Sequence, residues 1–135
     1  MPEKLPDTPE WNNVPENIQE YLGFVYIITH KTSGKYYVGK KQFWKAIRRK
    51  PLKGQKRVRL DRVQSDWKNY WGSSKKFLEF CKEHNFAGFK REIVLLSTNK
   101  FDLSYFELKQ QLIHDVLFDT NSFNGIINVR LSRKK

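Results

Sequence analysis

The chain has 135 residues, 15% of them aromatic, and carries 26 Lys and Arg against 14 Asp and Glu, a formal charge of +12. That length bounds it to one domain around a single core, and so large an imbalance in so small a domain selects a polyanionic partner, nucleic acid ahead of an acidic membrane. The lone cysteine, Cys81, excludes an internal disulfide and a multi-cysteine zinc site, which fits a reducing cytoplasm, and no apolar run approaches the roughly 18 residues of a transmembrane helix.

The N-terminus, "MPEKLPDTPEWNN", is acidic and rich in proline, without the basic-then-apolar order of a signal peptide. Residues 1–22 hold five acids against Lys4 and sum to −4. They are expected to form an extended arm, with Trp11 and Val14 as docking residues and a short turn at 15–21. Residues 23–135 are expected to form a single domain. Residues 23–29 are rich in β-branched and aromatic side chains and predict a strand; Thr32-Ser33-Gly34-Lys35 is a turn, and 36–40 returns as a second strand. Residues 41–49 predict the start of a helix that Pro51 stops. The stretch 50–72 shows no clean period and predicts a long loop, of the kind that is usually functional. Residues 40–76 hold fourteen Lys and Arg against Asp61 and Asp66, so this one stretch carries +12. Such density favours a phosphate-facing surface, and its contrast with the acidic arm favours docking of the one on the other.

Ser73 predicts the N-cap of a helix running to about His84, with Phe77, Phe80 and Cys81 at core spacing. "FKREIVLL" predicts a third strand. Asp102 or Ser104 caps a second helix through about Phe118, with Phe106, Ile113 and Val116/Leu117 on its buried stripe. "FNGIINVRL" closes the chain as a short fourth strand or extended segment, followed by a basic tail. The expected class is α+β: a small α/β sandwich with a mainly antiparallel three-stranded sheet flanked by helices. His30, His84 and His114 are dispersed without ligand spacing, which argues against zinc. His30 reads as polar and exposed, and Cys81 as a small core residue.

No Gly-x-Ser-x-Gly, Walker loop or His-Glu-x-x-His is present. Hydrolysis of a phosphodiester is a chemistry these residues can supply. It needs a base, charge neutralisation at the phosphoryl oxygens and cations to hold the substrate. Magnesium asks for hard oxygen ligands and needs only one or two carboxylates. Glu107, set beside the apolar stripe of the second helix, offers one.

Residues 23–44 resemble the signature of the GIY-YIG nuclease superfamily. Phe24-Val25-Tyr26 stands for the first triplet and Tyr37-Val38-Gly39 for the second, eleven residues apart from tyrosine to tyrosine. The glycine of the first triplet comes one position early, as Gly23. "SDWKNYWGSSKKFL", "FKREIVLL", "SYFELKQQLIHDVL" and "NSFNGIINVR" are similar to the successive blocks of the Seg-type phage endonucleases of this superfamily. The resemblance implies a DNA endonuclease dependent on Mg2+ or Mn2+, acting on double-stranded DNA as a monomer or a DNA-induced dimer, in a homing or genome-competition setting. It assigns Tyr26 and Tyr37 to the paired tyrosines, one of which deprotonates the attacking water directly or through a neighbour while the other places the phosphate. Lys40 matches the basic residue after the second triplet, and Glu107 the glutamate that holds the metal. Asn124 matches the terminal asparagine, with Asn128 as competitor.

The family's helical arginine falls at position 47, which is Ile here. The role shifts to Arg48, with Arg49 and Lys45 behind it, or to Arg57 or Arg59. Lys40, Lys41, Lys45, Arg49, Arg57, Arg59, Lys68, Ser73 and Lys75 are the candidate DNA-binding residues, with the helix start after Ser73 able to hold a phosphate. Trp67, Tyr70 and Trp71, interleaved with Lys68 and Lys75, are candidates to stack on bases or to fill the core, and two of the three are expected in the core. The alternatives are a basic domain that grips nucleic acid without cutting it, and an inhibitor that uses the acidic arm as a DNA mimic.

Overall fold

The computed structural model describes residues 9–127 and 131–133. Along the chain lie β1 (Trp11–Asn12), β2 (Gly23–His30), β3 (Tyr36–Gln42), β4 (Trp44–Arg49), β5 (Arg59–Gln64), α1 (Lys75–Glu83), β6 (Phe89–Ser97) and α2 (Lys100–Ile113). Four strands form one sheet in the order β1-β6-β2-β3. It is antiparallel apart from β1, which runs parallel to β6. β4 and β5 pair separately as an antiparallel ribbon.

The class is α+β, as the sequence implies, but the sheet has four strands rather than three. The additional strand comes from the arm. Two residues are too few to show a period, and Trp11 is what holds them. Its ring is buried against Phe24 and Tyr26, at 5.1 and 5.3 Å between centroids, and its indole N–H donates to the Trp67 carbonyl at 2.7 Å. Residues 9–14 thus dock on the sheet edge and against Trp67, at the end of the basic stretch. Val14 stays 43% exposed.

β2 is central and apolar on both faces, as a strand covered on both sides must be. Phe24, Tyr26 and Ile28 join Phe77 and Cys81 of α1 in the larger core, with Phe43, Trp67, Trp71 and Phe89. Val25, Val38 and Tyr36 meet Leu103 of α2 and Val116 in the smaller one. Trp67 and Trp71 are the two core aromatics of their segment, and Tyr70 is half-buried. Cys81 is buried as expected, which pushes its thiol up to about 12. His30 departs from expectation. It continues the alternation of Phe24, Tyr26 and Ile28, so it is buried, with its Nδ1 2.7 Å from the Ser33 hydroxyl and its ring 4.3 Å from that of His84.

Arg91 of β6 is the largest fully buried side chain. It lies between the rings of Trp11 and Trp71 and donates to the carbonyls of Pro9, Lys68 and Tyr70. One guanidinium fork therefore ties the arm to the 67–71 turn. A planar cation with five N–H donors suits that task.

The segment 41–49, expected to start a helix, instead holds strand β4. A helix there would stack Lys41, Lys45, Arg48 and Arg49 at spacings where like charges repel. Strand pairing places them on two faces and gives Arg49 an acid, Asp61, at 2.9 Å. The expected loop 50–72 holds β5 and a short 3-10 turn at Trp67–Asn69. Ser74, not Ser73, caps α1, accepting from the Phe77 N–H at 3.2 Å. Asn99, not Asp102 or Ser104, caps α2. It accepts from the Asp102 N–H while its own amide donates to the Asp102 carboxylate. The helix ends at Ile113, and Asp115 turns back at φ 48°. The buried stripe is accordingly Leu103 and Gln111, with Val116 buried beyond the helix and Ile113 and Leu117 exposed. Where a final strand is expected, the described residues 123–127 form none, though an isolated bridge joins Tyr36 to Ser122 just before them, and Asn128 lies outside the described residues.

Candidate active site

The two tyrosines are brought together by strand register. Tyr26 pairs with Gly39, and Ile28 with Tyr37, so both phenol rings stand on the α1 face, 6.2 Å apart between centroids. The pairing of β2 with β6 shifts register between Val25 and Tyr26, a bulge of the kind that re-aims a side chain. Gly39 is required by its partner. A Cβ there would lie 2.3 Å from the Tyr26 hydroxyl and 2.6 Å from its Cζ. Gly72, at φ +100°, backs both rings, and its absent Cβ would meet Tyr37 at 3.1 Å and the Tyr26 hydroxyl at 3.3 Å.

Tyr26 is buried, which holds its pKa well above 10.0, and the neighbouring Tyr37, Tyr70 and Glu107 add to the effect. Tyr37 stacks on Phe77 and reaches outward. Burial raises its pKa too, opposed by a hydrogen bond with Ser73 at 3.2 Å. Because Ser74 takes the capping role, the Ser73 hydroxyl is free for this bond. Burial raises the Tyr70 pKa, opposed by the neighbouring Ser73 and Tyr26 hydroxyls, and its ring stands edge-on to that of Tyr26 at 6.1 Å.

On α2, Leu103, Glu107 and Gln111 follow at intervals of four, and so lie in one line. Leu103 enters the core and Gln111 is buried. Glu107 between them is half-buried, and desolvation raises its pKa, opposed by the charge of Lys40. Among the described residues no hydrogen bond or ion pair engages its carboxylate. Lys40 itself donates to the Ser104 hydroxyl at 2.7 Å. Asn124 is buried at the β3 edge, where its amide donates to the Val38 carbonyl at 2.8 Å and accepts from the Val38 N–H at 2.9 Å. Both of its polar atoms are committed, so it fixes the C-terminal segment as a strand would. Tyr37, Ser73, Glu107, Gln111 and Asn124 together line a cleft of about 350 Å³.

Of the predicted catalytic residues, Tyr37, Glu107 and Asn124 share this cleft, and Tyr26 lies directly behind Tyr37. Arg48 does not. It is exposed on β4, opposite Leu60. Lys40, Lys41 and Lys45 line an adjoining basic cleft of about 760 Å³, joined by Lys100 and Ser104. Lys41 pairs with Asp66 at 2.7 Å and lies over the Tyr70 ring. Arg49 is held by Asp61, Arg59 donates to the Lys50 carbonyl, and Arg57 is exposed. Lys68 and Lys75 are exposed, the first over the Trp67 ring and the second at the start of α1. The sequence reading missed Lys100, an ordinary lysine by pattern. It also left Tyr70 undecided between stacking on bases and the core, because a site aromatic and a core aromatic look alike in a sequence.

Chemically the cleft offers a desolvated carboxylate beside hydroxyl groups and a lysine, a set of hard oxygen donors. No group of three or more His, Cys, Asp or Glu that could hold a metal occurs among the described residues, so Glu107 is the one acidic group at the cleft. Compared with known families, residues 8–127 match the family described as "Putative endonuclease segE, GIY-YIG domain". No curated protein and no solved structure matches the chain. The family match spans the arm strand, both tyrosine strands, the ribbon and the glutamate helix, and the chain belongs to this GIY-YIG endonuclease family.

Proposed function

We propose that the chain is a divalent-metal-dependent DNA endonuclease with one active site, formed by Tyr26, Tyr37, Glu107 and Lys40. The observation that carries this reading is the meeting of Tyr37 and Glu107, from opposite layers of the sandwich, at one open cleft. The residues fit a hard cation. The Glu107 carboxylate is half-buried, raised in pKa and unengaged, the state a cation would relieve, and water and substrate phosphate would complete the six oxygens that Mg2+ or Mn2+ takes. A cation held at Glu107 would neutralise charge on the phosphoryl oxygens.

Tyr37 faces the cleft with its hydroxyl hydrogen-bonded to Ser73, and it takes the proton of the attacking water as its own phenol proton passes through the Ser73 hydroxyl to solvent. Water oxygen bonds to phosphorus, the bond to the leaving oxygen breaks, and that oxygen takes a proton from solvent water. Tyr26 holds Tyr37 and Tyr70 in place from below. Asn124 keeps the cleft's far wall against Val38 and is a positioning residue. Lys40, Lys41, Lys45, Lys68, Ser73 and Lys75 grip the phosphates around the cleft, and Arg48, Arg49, Arg57 and Arg59 do so from the ribbon. One such site cuts one strand, so a double-strand break needs a second copy on the DNA or sequential nicking. A homing or genome-competition role in a phage accords with the family.

Plasmid cleavage in Mg2+ tests the reading, with EDTA as control. Wild type should nick or linearise supercoiled DNA, and Glu107→Ala and Tyr37→Phe should each lose on the order of 10²–10⁴ in rate while still shifting DNA in a gel. A wild type that shifts DNA but never cuts it, across several sequences and metals, makes the chain a binding module instead.

A further inference from the structure

The β4–β5 ribbon is exposed on both faces. A two-stranded ribbon without a covered face is marginal in water. Among the described residues the hydrogen bonds that tie it to the rest of the chain lie at its root, where the Trp44 indole donates to the Tyr21 carbonyl at 3.0 Å and Ser65 donates to the carbonyls of Phe43 and Gln42. Residues 44–64 carry nine Lys and Arg against the single Asp61. A ribbon so charged and so little supported has a partner, and the partner is a polyanion.

Its two faces differ. Cross-strand partners share a face, so Lys45, Arg49 and Arg59 stand together on one, with Asp61 among them and bonded to Arg49. Arg48, Leu60 and Arg62 stand on the other. Among the described residues neither of these two arginines has an acidic partner. The Arg62 guanidinium is stacked over the Trp44 ring at 4.3 Å, which orients it and leaves its N–H edge free to donate. Leu60, between the two, is 74% exposed. An apolar side chain kept in water between two cations has no use in gripping phosphate. It does have one against base edges, where the thymine methyl is an apolar target and guanine O6 and N7 take an arginine fork.

The size also agrees. Six paired residues at about 3.3 Å each make a ribbon roughly 20 Å long, and the major groove, about 12 Å wide and 8.5 Å deep, admits a two-stranded β-ribbon. We propose that the β4–β5 ribbon enters the major groove of duplex DNA and reads bases with Arg62 and Leu60, while its opposite face and tip hold the phosphates. The inference rests on the DNA-binding reading above. It adds that the chain carries its own sequence-reading element, joined to the active-site cleft through the basic channel at Lys41, Lys45 and Lys100.

The test is a binding selection from a randomised duplex library in EDTA, so that cutting plays no part. Wild type should enrich a short motif. Arg62→Lys and Leu60→Ser should bind random DNA within about two-fold of wild type yet lose the preference. Should Arg62→Lys fail to fold, Leu60→Ser alone decides. Guanine replaced by 7-deazaguanine in the motif removes a major-groove acceptor and should weaken binding roughly 5- to 100-fold. Inosine in its place alters only the minor groove and should not. The inference is overturned if wild type enriches no motif, if both variants keep it, or if inosine rather than 7-deazaguanine costs affinity. Cleavage in Mg2+, scored apart, shows whether the nuclease reading stands independently of these results.

Discussion

Two neighbouring stretches of this chain, residues 23–43 and residues 44–64, are both β-hairpins, and they have opposite designs. The first is packed between α1 and α2, with Phe24, Val25, Ile28, Val38 and Phe43 all fully buried. The second buries nothing beyond its root. The chemistry proposed for Tyr26, Tyr37 and Glu107 would need them held within fractions of an ångström, and close packing supplies that. Recognition needs reach and exposed donors, which close packing would remove. The charge follows the same division, since the packed hairpin contributes four lysines, Lys31 and Lys35 at its turn and Lys40 and Lys41 at its end, while the ribbon contributes nine cations. Each prediction below tests whether the two regions differ as sharply as this.

The largest effect on stability should come from Trp11, which lies far from both hairpins in sequence yet seals the first. Its ring packs on Phe24 and Tyr26, and Arg91 ties the adjacent Pro9 carbonyl to the turn that carries Tyr70. Trp11→Ala should cost about 3–5 kcal/mol, read from urea unfolding, and deleting residues 1–20 should abolish the cooperative transition. If the deletion folds normally and merely binds DNA more tightly, the segment is an acidic cover and the sheet does not depend on it.

How legible these regions were follows from the same contrast. Tyr26, Tyr37 and Glu107 were singled out through the family resemblance of the tyrosine triplets and the glutamate helix, and burial made their elements legible: β2 is a continuous run of β-branched and aromatic residues, and an apolar stripe runs beside Glu107. The ribbon was read as helix and loop because a strand exposed on both faces has no alternation to show. β1 was unreadable at two residues, since its pairing with β6 is decided by the Trp11 pocket and not by local propensity. The caps were missed by small margins for a local reason. Ser73 and Ser74 are the same residue type, and only packing decides which one accepts from Phe77 and which bonds Tyr37. Arg91 reads as a strand-surface arginine, and nothing in its neighbours announces that three carbonyls and two indoles await it.

Gly39→Ala should come next. The added methyl would sit 2.3 Å from the Tyr26 hydroxyl, and that buried ring has no room to swing away. The expected loss is about 1–3 kcal/mol, with a fall in cleavage rate larger than the unfolded fraction explains. A folded, fully active Gly39→Ala would mean that the Tyr26 ring is not held where the packing puts it.

Smaller again is the pH response of the packed region. Burial, helped by the charges of His84 and Lys35, lowers the pKa of His30 below its usual 6.5. The unfolded chain therefore takes up a proton that the folded one refuses. Below pH 6.5 this subtracts stability progressively until the folded pKa is reached, and above it the contribution is constant. Urea midpoints between pH 5 and 7.5 should slope less steeply for His30→Gln than for wild type. Equal slopes would place the pH sensitivity elsewhere.

The smallest effect should belong to the ribbon, and there the comparison is sharpest because one residue type occurs in both regions. Leu60 is 74% exposed and Leu103 is 2% exposed. Leu103→Ser removes the contact that seats α2, and with it Glu107, on Val25 and Val38, and should cost about 2–5 kcal/mol. Leu60→Ser should change unfolding by no more than about 0.5 kcal/mol, since the side chain leaves water in neither state of the free protein. A loss above 1 kcal/mol at Leu60 would show that the ribbon packs on something in solution, and its exposure would then say nothing about a partner. A near-zero change, together with loss of sequence preference, would mean that Leu60 is kept for what it touches on DNA and not for what it contributes to the fold.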